Sequence, residues 1–224
     1  MAFAQVAATA VSSDNGATQT VCLPSCIACG DLLIAVYFTT ADDTATWPAG
    51  WCQIGSIQQG ASGVEVEVRY RNANGCEGCT FNITGCDISA NIVYRITGHD
   101  PCIAPEGAFA NGVSATANPP CLNPGGCAKD FLWLAGFTIK HFGPITDTPD
   151  CYTNELNAPN CPYTAIHAVM QRELNAASHN PTAYVNTNSA CFVVFTVAIH
   201  PASACCCGCC GGIYPNVSGW VSIL

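Results

Sequence analysis

Short apolar runs closed by Gly, Pro, Asn or Asp recur through this chain, and its second half repeats its first at an offset of about one hundred residues. Gly30-Asp31-Leu32-Leu33-Ile34-Ala35-Val36-Tyr37-Phe38-Thr39 is echoed by Lys129-Asp130-Phe131-Leu132-Trp133-Leu134-Ala135-Gly136-Phe137-Thr138. Residues 64–71 are echoed by 165–172, and 90–96 by 192–199. Within residues 64–70 the order Val, Glu, Val, Glu, Val, Arg, Tyr alternates apolar and polar, which is the period of a half-buried strand. Glu65 and Glu67 then share one face, read here as the solvated one. Turn clusters such as Asn123-Pro124-Gly125-Gly126 punctuate the runs, and no helical periodicity lasts three turns. The fold class that follows is all-β: a two-sheet antiparallel sandwich of jelly-roll type, built from two pseudo-repeated halves at about 20–100 and 120–201. Two immunoglobulin-like domains are the alternative. Residues 1–201 are expected to form one domain, with 100–128 as a long crossing loop and 202–224 as a Cys-rich tail.

Eighteen cysteines accompany this pattern, five of them in the run Cys205-Cys206-Cys207-Gly208-Cys209-Cys210. Adjacent cysteines do not easily pair, because a disulfide wants α-carbons roughly 4.4–6.8 Å apart with converging side chains. A chain of 224 residues buries a sizeable core without staples, so its cysteines are surplus to folding. Cys22, Cys26, Cys29, Cys76, Cys79, Cys86, Cys102, Cys121, Cys127, Cys151 and Cys161 fall in turns and loops. With Cys205, Cys206, Cys207, Cys209 and Cys210 they are the candidates for disulfides or cross-links, loop to loop or between subunits. The spacings Cys22-x3-Cys26-x2-Cys29 and Cys76-x2-Cys79 also occur in metal knuckles and redox pairs. Neither sits beside a βαβ pattern, so disulfides are preferred and no metal is assigned. Cys52 and Cys191 lie near strands and read as core residues.

Six Lys plus Arg stand against fifteen Asp plus Glu, a net charge of −9, with no basic run, which argues against nucleic acid as a partner. No stretch of eighteen apolar residues marks a membrane span, and the first residues carry no basic secretory region. The tail after Pro201 has no charged side chain and ends Trp220-Val221-Ser222-Ile223-Leu224, so packing on its own domain or on a partner is expected.

Several motifs carry a family resemblance. Gly30-Asp31-Leu32-Leu33-Ile34, Thr46-Trp47-Pro48-Ala49-Gly50-Trp51, Tyr70-Arg71 before a Gly-rich turn, Phe81-Asn82-Ile83-Thr84, Tyr94-Arg95-Ile96 and Ala198-Ile199-His200-Pro201 resemble β-sandwich proteins of tailed-bacteriophage virions. Such proteins serve as capsid decoration, minor capsid, collar or tail-appendage modules. The resemblance covers about residues 20–201 and implies a non-enzymatic structural role with no cofactor. It implies the capsid exterior as the location, after synthesis in the host cytoplasm. The implied partners are the major capsid protein or linking proteins, and copies of the chain itself. It also implies oxidation of the thiols after lysis, which accounts for many cysteines without an export signal.

Other chemistry is thinly supported. His99, His141, His167, His179 and His200 are scattered, and neither Gly-x-Ser-x-Gly nor His-Glu-x-x-His occurs. Asp42-Asp43 is too little for a calcium site. Trp47, Trp51, Trp133 and Trp220 raise a glycan-binding alternative, though core or interface packing is the preferred account.

Overall fold

The computed structural model describes residues 2–39, 45–60, 63–85, 88–140, 144–157 and 165–203. They form thirteen strands and no helix: β1 (Gln5–Asp14), β2 (Thr18–Cys22), β3 (Leu32–Thr39), β4 (Cys52–Gln59), β5 (Val64–Asn72), β6 (Thr80–Thr84), β7 (Ser89–Thr97), β8 (Glu106–Ala117), β9 (Lys129–Ile139), β10 (Ile145–Asp147), β11 (Thr153–Asn157), β12 (Ile166–Ala176) and β13 (Tyr184–Ile199). All pairings are antiparallel. One sheet has the order β1-β7-β3-β5-β4. In the other, β8 and β9 flank β13, and the order continues to β12 and β11, with short β10 on the first residues of β13. The two orders match place for place. Each large sheet comes wholly from one half of the chain, so the strands do not alternate between sheets as in a jelly roll.

Period-two alternation assigns each side chain to a layer. Leu32, Ile34, Val36 and Phe38 of β3 face inward, and so do Leu132 and Leu134 of β9. They meet Val64, Val66 and Val68 of β5 and Val193, Phe195, Val197 and Ile199 of β13 in one core shared by both sheets. The intervening residues of β3 and β9 are also buried. Leu33, Ala35 and Tyr37 lie under the β2–β6 pair with Trp51 and Ile83. Phe131, Trp133, Ala135 and Phe137 lie under Leu122, Tyr152 and Tyr184. Strands buried on both faces read as continuous apolar runs, which is why β3 and β9 are unbroken in the sequence.

Three expectations change. The stretch at 100–128 is not all loop, because it contains β8, a twelve-residue strand. Its Gly, Ala, Asn and Ser side chains give little alternation, and β8 is held by pairing along β13. The first sheet also begins earlier than residue 20, since β1 pairs with β7 along nearly its whole length. Glu67 is 6 % exposed rather than solvated, because its face is covered; its carboxylate accepts Trp47 Nε1–H at 2.7 Å and Arg69 Nε–H at 2.7 Å.

The sheets' side edges differ. Where β4 meets β8, the Phe109 ring fills the space over Gly55, and Asn111 Nδ2 donates to Gln58 O at 2.6 Å. Where β1 meets β11, Gln5 Nε2 donates to Glu173 Oε1 at 2.7 Å, beside a groove of about 440 Å³.

Phe195 lies fully buried in the shared core against Phe109, with its ring over Gly136. Phe195→Ala is expected to cost about 3–5 kcal/mol in urea unfolding of the reduced chain. His167 stacks on Phe38 at 4.8 Å, and burial pushes its pKa down to about 3. Its proton therefore binds the unfolded chain first. Stability should be full above the ordinary histidine pKa and fall as pH drops from about 6.5 toward 3, by about 1.4 kcal/mol per pH unit. Unfolding free energies measured between pH 7 and pH 4.5 should lose that share of their slope in His167→Leu.

Candidate functional site

The antiparallel registers define one end of the molecule. Gln5 pairs with Thr97, Leu32 with both Ile96 and Asn72, and Cys52 with Tyr70. In the second sheet, Glu106 pairs with Ala198, Leu132 with Ile199, and Thr153 with Gln171. These ends coincide, because Asp100 N–H donates to His200 O at 3.0 Å and Ala202 N–H to Gly98 O at 2.8 Å. The result is a single pole formed by both halves.

Ten of the eleven described cysteines are exposed. Cys22, Cys26, Cys29, Cys52, Cys76, Cys79, Cys102, Cys127 and Cys151 lie in segments that meet this pole. Cys121 sits just off it, next to Pro120, whose carbonyl accepts the Thr196 hydroxyl at 2.7 Å. Cys191 lies toward the other end on β13 and is half-buried.

The loops that carry these thiols are braced by paired charges. Asp31 Oδ2 accepts Ala28 N–H at 2.8 Å and Arg95 Nε–H at 2.6 Å, and Arg95 Nη1 donates to Ser25 O. These contacts fix the loop with Cys26 and Cys29. Opposite it, the Glu77 carboxylate accepts the backbone N–H groups of Asn74 at 2.6 Å and Gly75 at 2.9 Å, and pairs with Arg71 at 3.5 Å. Asn74 Oδ1 accepts Cys76 N–H. The two loops are stitched by Gly30 N–H to Ala73 O and Leu23 N–H to Cys79 O. Gly75, at φ +84°, comes so close that a Cβ there would lie 3.1 Å from Cys29 N, so both its backbone twist and its lack of a side chain are used. Between the loops runs a groove of about 390 Å³ lined by Cys26 and Cys79 with Leu23, Pro24 and Ile27.

The same device recurs nearby. Asp100 accepts Cys102 N–H with one carboxylate oxygen and Ser203 Oγ–H with the other, tying the last described residue to the pole. Cys26 and Cys151 have φ values of 58° and 61°, left-handed backbone that costs an L-residue roughly 1–2 kcal/mol. Cys151 borders a groove with Arg172 and Gln171.

Several sequence expectations meet the geometry here. No sulfur–sulfur bond joins two of the described cysteines. Cys52 is exposed rather than in the core, because it opens β4, an edge strand, at the pole. Cys26, Cys29, Cys76 and Cys79 do come together in adjoining loops, and Cys22 ends β2 beside them, paired with Thr80. Among the described residues, however, no three His, Cys, Asp or Glu side chains are placed to hold a metal ion. Cys86, Cys161, the run from Cys205 to Cys210, His141, Asp42-Asp43 and Trp220 lie outside the described residues.

The histidines pack instead of converging. His179 lies edge-on to Trp133 and stacks on Tyr152, and burial together with Arg172 lowers its pKa to about 4. His200 lies edge-on to Phe131, with Nε2 2.9 Å from Glu106. His99 is buried, which lowers its pKa against the opposing pull of Asp31 and Asp100. The tryptophans are similarly engaged: Trp133 donates to Leu174 O, and Trp47, Trp51 and Phe81 pack on one another.

No protein-family model, no curated protein and no solved structure matches this chain.

The polar clustering sets a direct test. In a native, fully reduced sample, a chromogenic disulfide reagent should label the ten exposed described thiols rapidly, and Cys191 only slowly. Peptide mapping after a short pulse would give the order of labelling.

Proposed function

We propose that this protein is a non-enzymatic structural subunit of a phage virion, a minor capsid or decoration protein on the capsid exterior. Disulfides formed after assembly fasten it to major capsid or linking proteins and to copies of itself. The fastening role draws its support from one observation: exposed cysteines concentrate at one braced pole, while the shared core contains no cysteine. A thiol inside a core staples its own chain; a thiol on a stiff exposed loop is presented to a neighbour. The virion setting draws on the strand-and-turn motifs around Gly30-Asp31, Trp47-Pro48 and His200-Pro201.

The chemistry is simple. Each bond joins two sulfurs and releases two protons and two electrons, which dioxygen accepts once the host cytosol is opened. A bond within a chain would contribute roughly 2–4 kcal/mol by restricting the unfolded state. A bond between subunits makes their separation depend on reduction. The braced loops limit how far each thiol can wander, which favours a defined partner sulfur over random exchange. A neck or collar position would use the same chemistry. A glycan-binding module has less support, because the faces of Trp47 and Trp51 are spent on each other and on Phe81.

Non-reducing electrophoresis of purified particles should show the chain in ladders that collapse with reductant. Replacing Cys26, Cys29, Cys76 and Cys79 together by Ser should remove rungs while leaving the fold intact. A monomer band without reductant, or mass-spectrometric mapping that finds only intrachain bonds, would overturn the fastening role. Absence of the chain from purified virions would overturn the setting.

A further inference from the structure

Asn-Gly is the dipeptide in which a backbone nitrogen most readily attacks a side-chain amide, because glycine leaves that nitrogen unshielded. The chain contains three: Asn15-Gly16, Asn74-Gly75 and Asn111-Gly112. The fold gives each a different environment, so one chemistry can be compared at three places in one molecule.

At Asn74-Gly75, in the loop between β5 and β6, the reacting groups are already arranged. Gly75 N–H, whose proton must leave, donates to Glu77 Oε2 at 2.9 Å, which is the reach of a general base. Asn74 Oδ1, where negative charge develops during attack, accepts Cys76 N–H at 2.8 Å, which is the distance of an oxyanion donor. The Glu77 side chain is 1 % exposed and is held by Arg71 and by Asn74 N–H at 2.6 Å, so the base stays in position. Asn74 and Gly75 themselves are exposed, so water reaches them.

Neither of the other pairs has this set. Asn111 lies in β8 opposite Val193, and its Nδ2 donates to Gln58 O at 2.6 Å, which ties the carboxamide to β4. Asn15 lies in the turn between β1 and β2. Among the described residues, no carboxylate is bonded to Gly16 N–H and no donor to Asn15 Oδ1.

We propose that Asn74-Gly75 is a self-modifying site. Gly75 N attacks Asn74 Cγ, and its proton passes to Glu77. The bond from Cγ to the amide nitrogen then breaks, and ammonia leaves with that proton. The resulting succinimide takes up water at one carbonyl or the other and opens to aspartate or isoaspartate. No oxidant or reductant is involved. Either product places a second carboxylate beside Glu77, and like charges repel. Isoaspartate also adds one carbon to the main chain. The loop carrying Cys76 and Cys79 is thereby reset against the loop carrying Cys26 and Cys29. This inference is independent of the virion reading.

Peptide mapping of the full reduced chain, held at neutral pH for increasing times, tests it, with aspartate and isoaspartate separated at all three positions. Asn74 should convert about tenfold faster than Asn15, and Asn111 should persist longest. Isoaspartate should form at position 74, as the opening of a succinimide requires. Glu77→Gln keeps the side chain's size and one acceptor oxygen, and should slow Asn74 about tenfold with Asn15 unchanged. Persistence of Asn111 in that variant shows that the sandwich is folded; where it is lost, the wild-type order decides alone. Conversion of Asn74 no faster than that of Asn15 would overturn the proposal, as would unslowed conversion in folded Glu77→Gln. Aspartate without isoaspartate at position 74 would overturn the attack by Gly75 N.

Discussion

The face-to-face packing of the two large sheets is the contact on which everything else depends. Leu32, Ile34, Val36 and Phe38 from one half of the chain meet Leu134, Val193, Phe195 and Val197 from the other. Neither half can bury its inner face alone, because each is a single sheet with a thin cover on its outer side. Two independent immunoglobulin-like domains would each need a complete core, and this chain shares one. The sharing also fixes the pole: with the sheets clamped together, the ends of β7 and β13 lie side by side, and the loops of both halves project from one end.

The division of labour between core and pole is chemical. Dispersion and burial hold the sandwich, and its shared core contains no thiol. The loops at the pole are too polar to pack that way. They are held by Asp31, Glu77 and Asp100, each accepting backbone N–H groups from the loop it organises. Charge-assisted bonds of this kind are stronger than neutral ones. With only six basic residues in the chain, Arg71 and Arg95 are both spent bracing cysteine loops. That expenditure makes sense where the position of the thiols matters.

The two side edges show how near-symmetry is broken. The strand orders correspond, yet one edge is sealed by Phe109 over Gly55 and the other is left open beside Val6 and Leu156. A bulge between Val6 and Ala8 lies at the open edge. Bulges commonly mark places where an edge is re-aimed. β1 thus stays a long edge strand, paired on one side by β7 among the described strands.

The sequence by itself determined the class of fold, the strong strands and the loop positions of most cysteines, because these follow from local periodicity and turn chemistry. The runs at β3 and β9 were legible as buried strands because they are apolar on both faces. β1 and β8 were not, since small uncharged residues alternate weakly and their strand state comes from pairing with β7 and β13. Only the tertiary structure decided that Glu67 is buried, that Cys52 is exposed, and that cysteines more than one hundred residues apart share one pole. Those facts depend on which face another layer covers and on how two sheets are registered end to end, and neither is encoded in any local stretch of residues.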